Sequence, residues 1–337
     1  MLHRTIALPL HRAMQLGDPV CLQGPRSSGK TTLLQREFPG HTYVALDNAA
    51  DRSRARNDPA GFLARLRGPA ILDDLHRAPE LIEHLRDRRF SGPLILASSR
   101  RLQLPVETLH LYHPTRAERH GRQPLALAML GRFVPLAVPP IMPVPPWPNR
   151  RNFIENDLRD LVSVHDPDRF ETFLQAARAL SGHVLDQQSL ASQCGISHRT
   201  VTRWLAAVDT CFLTLRLPPA DADFGRRIVR SPKLHFLDSE CYESQVVSEI
   251  FRNAAHEGEI PDLRYWRDSN GLEIPLIVQS GSGNPLPAGI AAAPTPADVS
   301  RLRRWMELAD VKQAALIGQT KVSAKHAGIC RYSIEQL

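Results

Sequence analysis

A glycine-rich segment near the amino terminus constrains this chain more than any other feature. Residues 24–32 read Gly-Pro-Arg-Ser-Ser-Gly-Lys-Thr-Thr and match G-x-x-x-x-G-K-[ST], the Walker A pattern of phosphate-binding loops. The two glycines let the backbone wrap closely round a polyphosphate, with its N–H groups pointing inward. The pattern predicts that Lys30 reaches the β- and γ-phosphates and that the Thr31 hydroxyl binds Mg²⁺.

The residues on either side supply the strand–loop–helix context that this motif requires. Residues 19–23 are a short apolar run typical of a buried strand, and residues 31–38 have the composition of a helix. Such a helix presents the positive end of its dipole to the bound anion. The alternative is a surface turn rich in glycine and serine that contains a lysine by chance, and the flanks disfavour it.

A second segment provides a carboxylate for the metal. The apolar run 69–72 leads into Asp73 and Asp74, as at the carboxyl end of a buried parallel strand. We expect Asp73 to hold Mg²⁺ through water and Asp74 to polarise the attacking water. Such enzymes usually carry glutamate at the second position, and aspartate is one methylene shorter, so nucleotide binding should be more secure than fast hydrolysis. The alternative is a pair of aspartates that starts a turn.

A third apolar run, residues 93–97, ends at Ser98. Ser98 is either a sensor of the γ-phosphate or a helix cap, and the sequence leaves both open. Residues 43–47 indicate one more strand, so the pattern predicts a parallel α/β domain. The predicted nucleotide-binding residues are Gly24, Pro25, Arg26, Ser27, Ser28, Gly29, Lys30, Thr31, Thr32 and Ser98. Lys30 and Asp74 are the predicted catalytic residues, and Thr31 and Asp73 the predicted metal ligands.

Bulk properties restrict the class of protein. The 337 residues allow two or three domains, and no apolar run approaches the roughly 20 residues that span a bilayer. The five cysteines are scattered without a C-x-x-C pair, so we expect neither zinc nor disulfides, and a cytoplasmic location without membrane contact. The net charge of +7 permits nucleic-acid binding, but the arginines that carry it are dispersed, as on an ordinary solvated surface.

The order of these segments resembles a family of AAA+-related ATPases of bacteria and archaea that join a P-loop domain to a C-terminal domain of unknown function. The matching stretches include LQGPRSSGKTTLLQREFPGHTYVALDN, DPAGFLARLRGPAILDDLHRAPELIEHLR, LILASS, ASQCGISHRTVTRWLAAVD and YESQVVSEIF. The resemblance implies an ATPase domain over residues 1–118 that takes ATP and Mg²⁺. Rings are usual among AAA+ proteins, so self-association is possible on this basis.

The rest of the chain divides by composition. Residues 134–148 contain seven prolines, which exclude a helix or a central strand, so we interpret residues 119–150 as a semi-rigid linker rather than a partner-docking segment.

The pattern of residues 151–237 predicts a helical domain. It indicates helices at 152–164 and 168–180 and then a helix-turn-helix over 189–205, with the runs 212–217 and 233–237 forming a wing. The outward residues of its second helix are His198, Arg199, Thr200 and Arg203, which predict possible DNA contacts. A protein–protein module is an equal alternative.

The resemblance implies a restriction-endonuclease-like α/β fold for residues 238–337, with a motif of Glu, Glu-Val-Asp and Glu-Val-Lys. Glu243 and Glu273 match the acids, but Pro275 stands where a metal-binding aspartate belongs, and the next strand lacks the acid and the lysine. Two acids alone offer Mg²⁺ too little charge and too few hard oxygens. We therefore expect no nuclease activity, and structural roles for both glutamates, such as helix pairing with an arginine.

A second departure from the resembled family concerns hydrolysis. The family carries a Gly-Arg pair after its third strand, whereas this chain has residues 106–112 without it. Arg100, Arg101 or Arg116 are the candidates to replace that arginine. The prediction is a weak Mg-dependent ATPase that couples its nucleotide state to DNA or a protein partner. The alternative is a non-catalytic DNA-associated regulator in which nucleotide is structural.

Overall fold

The computed structural model describes residues 2–85, 92–121, 161, 167–222, 224–279, 284–319 and 325–333. It divides into two compact units. The first comprises residues 1–121, 210–212 and 254–259, and the second comprises the remainder. Most of the predicted linker, 119–150, and nearly all of the predicted helix 152–164 lie outside the described residues.

The first unit is built on a five-stranded parallel sheet with the order β2-β3-β4-β1-β5. Its elements are α1 (Ala7–Gln15), β1 (Val20–Gln23), α2 (Lys30–Glu37), β2 (Thr42–Ala45), α3 (Ala49–Asn57), α4 (Pro59–Arg65), β3 (Ala70–Asp73), β4 (Leu94–Ser98), β5 (Glu107–His110) and α5 (Arg116–His120). Apolar residues cover both sheet faces. Because β1, β3 and β4 are buried along their whole length, they read as continuous apolar runs in the sequence.

This sheet agrees with the predicted parallel α/β domain and adds one strand. Helix α2 begins one residue before the predicted position, at Lys30. The added strand is β5, which pairs in parallel with β1. It lies in residues 106–112, the segment that lacks the Gly-Arg pair of the resembled family and for which no strand was predicted. The alternation of polar and apolar residues from Thr108 to Leu111 is the signal that identifies it.

The second unit begins with three helices and a small antiparallel sheet. The elements are α6 (Pro167–Ala179), β6 (His183–Val184), α7 (Gln187–Cys194), α8 (His198–Thr210), β7 (Thr214–Leu217) and β8 (Lys233–Phe236), and the sheet order is β6-β8-β7. The Asp186 side chain caps α7, and Gly195 ends it with a φ of 61°. Phe170 and Phe173 pack edge-on against Trp204 of α8. These contacts bury the apolar faces of the helices.

A six-stranded mixed sheet completes the second unit, with the order β13-β14-β12-β11-β10-β9. Its elements are α9 (Tyr242–His256), β9 (Asp262–Arg267), β10 (Glu273–Gln279), β11 (Leu286–Ile290), α10 (Pro296–Ala309), β12 (Ala314–Gly318), β13 (Lys325–His326) and β14 (Ile329–Ser333). Pairing of β9 with β10 shifts register between Ile274 and Ile277, where Pro275 cannot donate a ladder hydrogen bond. In the described part of the chain, no helix is both long and apolar enough to cross a membrane.

Candidate nucleotide-binding site

The glycine-rich loop joins the carboxyl end of β1 to the start of α2. A Cβ at Gly24 would lie 1.9 Å from the carbonyl oxygen of Leu111, so no side chain can be accommodated there. The Gly24 N–H donates to the carbonyl of Ser98 at 3.1 Å, which ties the loop to β4. Gly29 has a φ of 92°, a conformation that favours glycine. Both glycines of the motif therefore have a local steric reason.

Lys30 folds back over this loop. Its Nζ donates to the carbonyl oxygens of Gly24 and Pro25, each at 2.9 Å, and its side chain is buried. These bonds place the ammonium group inside the curve of the backbone, where a polyphosphate would lie. Arg26, Ser27 and Thr32 are exposed, whereas Ser28 is buried.

The two residues predicted to hold Mg²⁺ come together across the sheet edge. The Thr31 hydroxyl donates to Asp73 Oδ2 at 2.5 Å, although the residues are far apart in sequence. The Tyr43 hydroxyl donates to the same oxygen at 2.8 Å, and the Asp74 N–H donates to Oδ1 at 2.9 Å. Hydroxyl and carboxylate oxygens are ligands that Mg²⁺ prefers. Tyr43 is a member of this cluster that the sequence did not single out.

Asp74 has a left-handed backbone conformation, with a φ of 59°. Aspartate and asparagine adopt this region more readily than longer residues, which gives a physical reason for aspartate here in place of glutamate. Burial, together with the neighbouring Asp73 carboxylate, raises the pKa of Asp74. A raised pKa makes a carboxylate a better proton acceptor near neutral pH.

Ser98 and its neighbours close the site on the β4 side. The Ser98 hydroxyl donates to the carbonyl of Arg100 and accepts from the Arg100 N–H, so it stabilises a turn rather than capping a helix. Of the three arginine candidates, Arg100 is buried, and Arg101 stacks over the Phe212 ring at 4.4 Å. Arg116 begins α5.

Several buried polar atoms around the loop have no hydrogen-bond partner within the described residues. They are Ser28 Oγ, Ser99 Oγ and both ring nitrogens of His76. Buried polar groups in native proteins are normally paired, so unpaired groups indicate a missing ligand or ordered water. A triphosphate offers many acceptor oxygens, and Lys30, Thr31 and Asp73 offer a cation and metal ligands. The residues present therefore suit ATP with Mg²⁺.

Arg4 holds the glycine-rich loop in place through a hydrogen bond to its backbone, and the sequence gave no reason to select this residue. Its guanidinium donates to the carbonyls of Ser28 (2.8 Å) and Tyr112 (2.6 Å) and to Glu118 (3.2 Å). The Tyr112 N–H donates to His256 Nε2 at 2.9 Å, so the proton of a neutral His256 lies on Nδ1, which faces Glu118 at 3.2 Å.

This group of Arg4, Glu118 and His256 is electrostatically balanced. Burial raises the pKa of Glu118, but His256, Arg4 and the Thr5 N–H outweigh it and hold that pKa at about 2. The carboxylate is therefore charged and paired at neutral pH. Only its helix-capping role was visible in sequence, as the capping box Thr115-x-x-Glu118.

Replacing Arg4 with methionine should destabilise the first unit by about 3 kcal/mol, because it removes the guanidinium that pairs with the buried Glu118 carboxylate. It should also weaken nucleotide binding, since Ser28 loses the bond that holds its carbonyl. Chemical denaturation and calorimetry measure both effects. Arg12→Met, an exposed change in α1, is the control. Equal stability of the two variants would contradict the supporting role.

The predicted DNA-contact residues lie on α8. His198, Arg199 and Arg203 are exposed, and Thr200 is partly buried. The Ser197 hydroxyl accepts from the Thr200 N–H and so caps the helix. Within this helix-turn-helix segment the apolar residues predicted to form a shared core are buried, except Ile196, which is partly buried; the buried ones are Leu190, Ala191, Val201, Trp204 and Leu205. The arrangement leaves the basic side chains available to a partner.

The two glutamates predicted to have structural roles share one lysine. Lys233 of β8 donates to Glu243 at 2.7 Å and to Glu273 at 2.5 Å, and its side chain is only 2% exposed. Arg267 also donates to Glu273, at 3.2 Å. Glu243 thus pairs with a lysine rather than the expected arginine. The motif of the resembled family has a lysine after the second acid, which this chain lacks, and the structure instead brings Lys233 from before Glu243.

Comparison with known proteins supports an AAA-type domain in the first unit. Residues 17–112 match a family model described as an AAA domain. The chain thus carries an AAA-type domain of the P-loop ATPase family near its amino terminus, consistent with the parallel five-stranded sheet. Residues 149–240 match a model described as a domain of unknown function (DUF8612). Both matched regions end by residue 240, so the endonuclease-like interpretation of residues 238–337 stays a prediction.

Two relatives that match most of this chain are named as uncharacterized proteins. The protein Rv2008c of Mycobacterium tuberculosis and the protein Mb2031c of Mycobacterium bovis are each 28% identical to this chain. The similarity covers 93% of this chain and 78% of each relative. The similarity therefore extends through both units of the structure.

Proposed function

We propose that this protein binds ATP with Mg²⁺ at residues 24–32 and hydrolyses it slowly. The observation that carries this proposal is the 2.5 Å bond between Thr31 and Asp73, which joins the loop to the carboxylate that would hold the metal. Mg²⁺ bound there would neutralise charge on the phosphates. Lys30 would bind the phosphates, and Asp74 would orient the attacking water.

Slow hydrolysis follows from the groups that surround the phosphates. Asp74 reaches less far than a glutamate, and Arg101 is held over Phe212. Arg100 is the buried member of the three arginine candidates. Calorimetry with ATP and Mg²⁺, followed by a phosphate-release assay, tests both parts. Absence of binding by folded protein would refute the proposal, whereas binding without turnover would refute only hydrolysis.

We further propose that the nucleotide state controls binding of DNA or a protein partner by the second unit, with α7 and α8 as a winged helix-turn-helix. The described tryptophans, Trp204, Trp266 and Trp305, belong to the second unit, whereas the proposed nucleotide site belongs to the first. A change in tryptophan fluorescence on adding ATP would therefore report coupling directly. Coupling would be refuted if fluorescence and salt-titrated DNA affinity both stayed constant at saturating ATP.

The alternative function is a DNA-associated regulator in which nucleotide only stabilises the fold. The exposed basic residues of α8 favour DNA as its partner. This alternative predicts nucleotide binding and a higher melting temperature without phosphate release. The turnover assay described above therefore separates the two functions.

We expect no nuclease activity from the second unit. The Lys233 ammonium already occupies the space between Glu243 and Glu273, so a divalent cation would have to displace it. Incubation of plasmid DNA with the protein and Mg²⁺ or Mn²⁺ should leave the DNA intact. Cutting that disappears in Glu243→Ala would show this expectation to be wrong.

A further inference from the structure

His76 lies in the short turn Leu75–Arg77 that follows Asp73 and Asp74. Its side chain is 2% exposed, and neither ring nitrogen has a hydrogen-bond partner in the part of the chain that the structure describes. The nearest acid is Asp74, whose Oδ1 lies 3.9 Å from Nδ1, beyond hydrogen-bond distance. The phosphate, metal and water-orienting roles proposed for the site do not involve this histidine.

The surroundings of His76 are strongly cationic. Burial, followed by the charges of Arg100, Arg77, Arg26 and Lys30, lowers the pKa of His76 to about 3. The imidazole is therefore neutral and carries one N–H that can donate. The charges that act most strongly on this buried donor are therefore all positive. An anionic acceptor is the ligand that this environment lacks.

A purely structural histidine would not be expected here. Burying polar nitrogens without partners costs free energy, and an apolar side chain of similar size would avoid that cost. Proteins tolerate such local costs mainly at functional sites. Two of the cations whose charges act on His76, Arg26 and Lys30, belong to the phosphate-binding loop, so an anion bound at that loop would lie in the same electrostatic environment as His76.

We propose that His76 donates a hydrogen bond to the terminal phosphate of the bound nucleoside triphosphate. The turn that carries His76 follows directly from the metal-binding end of β3, and Lys30 binds at the β- and γ-phosphates. His76 thereby distinguishes ATP from ADP, and this inference rests on the proposed ATP site. A hydrogen bond to a charged phosphate corresponds to a preference of about tenfold or more.

The test compares the affinities of two nucleotides in three proteins. Calorimetry measures the dissociation constants of a non-hydrolysable ATP analogue and of ADP for wild type, His76→Phe and His76→Gln. His76→Phe keeps a planar ring without a donor, and His76→Gln restores a donor of similar reach. We expect His76→Phe to lose about tenfold in analogue affinity with ADP affinity unchanged, and His76→Gln to recover part of the loss.

Stability provides an independent readout. Without nucleotide, His76→Phe should melt at the same temperature as wild type or higher, because no hydrogen bond is removed. The inference is wrong if His76→Phe keeps the wild-type ratio of the two affinities, or if both variants fail to fold. Failure of wild type to bind either nucleotide would instead overturn the proposed function itself, and the inference with it.

Discussion

Lys30→Ala is expected to lower the affinity for ATP by about 100-fold or more. The buried ammonium of Lys30 is held in the loop by the carbonyls of Gly24 and Pro25, and no other lysine belongs to the loop. Charge-assisted hydrogen bonds to phosphate are among the strongest polar contacts, and each 1.4 kcal/mol corresponds to tenfold in affinity. Calorimetry with ATP and Mg²⁺ measures the effect, and phosphate release should fall to background.

The matched control for Lys30→Ala is Arg67→Ala. Arg67 is an exposed cation of the first unit, so its loss changes the net charge equally without touching the loop. Circular dichroism should show that both variants fold. ATP binding of wild-type strength by Lys30→Ala would mean that the loop is not the nucleotide site.

The second large effect is expected in the second unit. Lys233→Met should reduce the free energy of unfolding by about 3 to 5 kcal/mol, because two carboxylates then face each other without their shared cation. Urea denaturation followed by tryptophan fluorescence measures this loss, since the described tryptophans, Trp204, Trp266 and Trp305, belong to that unit. Lys312→Met, at an exposed position, serves as the control and should leave stability within about 0.5 kcal/mol of wild type.

The loss in Lys233→Met should also depend on pH. Burial raises the pKa of Glu243 to about 7 even though Lys233 lowers it, so removal of the lysine raises that pKa further. Below pH 7 a proton then replaces the ammonium, and the destabilisation should be smaller at pH 6 than at pH 8.5. The triple variant with Glu243→Gln and Glu273→Gln should regain most of the loss. A pH-independent loss, or no loss, would exclude this account of the cluster.

The geometry of the candidate site was predictable where its parts are local in sequence. The loop from Gly24 to Thr31 is contiguous, and its glycines are required by backbone geometry that a short pattern records. Asp73 could be predicted because parallel strands end at the same sheet edge, so an acid after an apolar run falls near the loop. Strand β5 was not predicted, because residues 106–112 were considered only as the segment that lacks the Gly-Arg pair of the resembled family.

Other site residues had no sequence signal because their partners are distant along the chain. Arg4 supports the loop through Ser28 and Tyr112, and only the fold brings these groups together. Ser98 and Ser99 could not be distinguished by sequence, since the direction of each hydroxyl depends on the turn after β4. His76 looked like an ordinary turn residue until its burial and unpaired nitrogens were known.

The amino-acid sequence by itself determined the phosphate loop, the apolar strands and the paired helices of the second unit, because each depends on residues within one or two turns of one another. Tertiary structure alone decided which side chains lack partners and which charges are shared. Lys233 between Glu243 and Glu273 is the clearest case. Its role depends on three separate elements converging in a buried space, where charge must be balanced by whatever group the fold brings near.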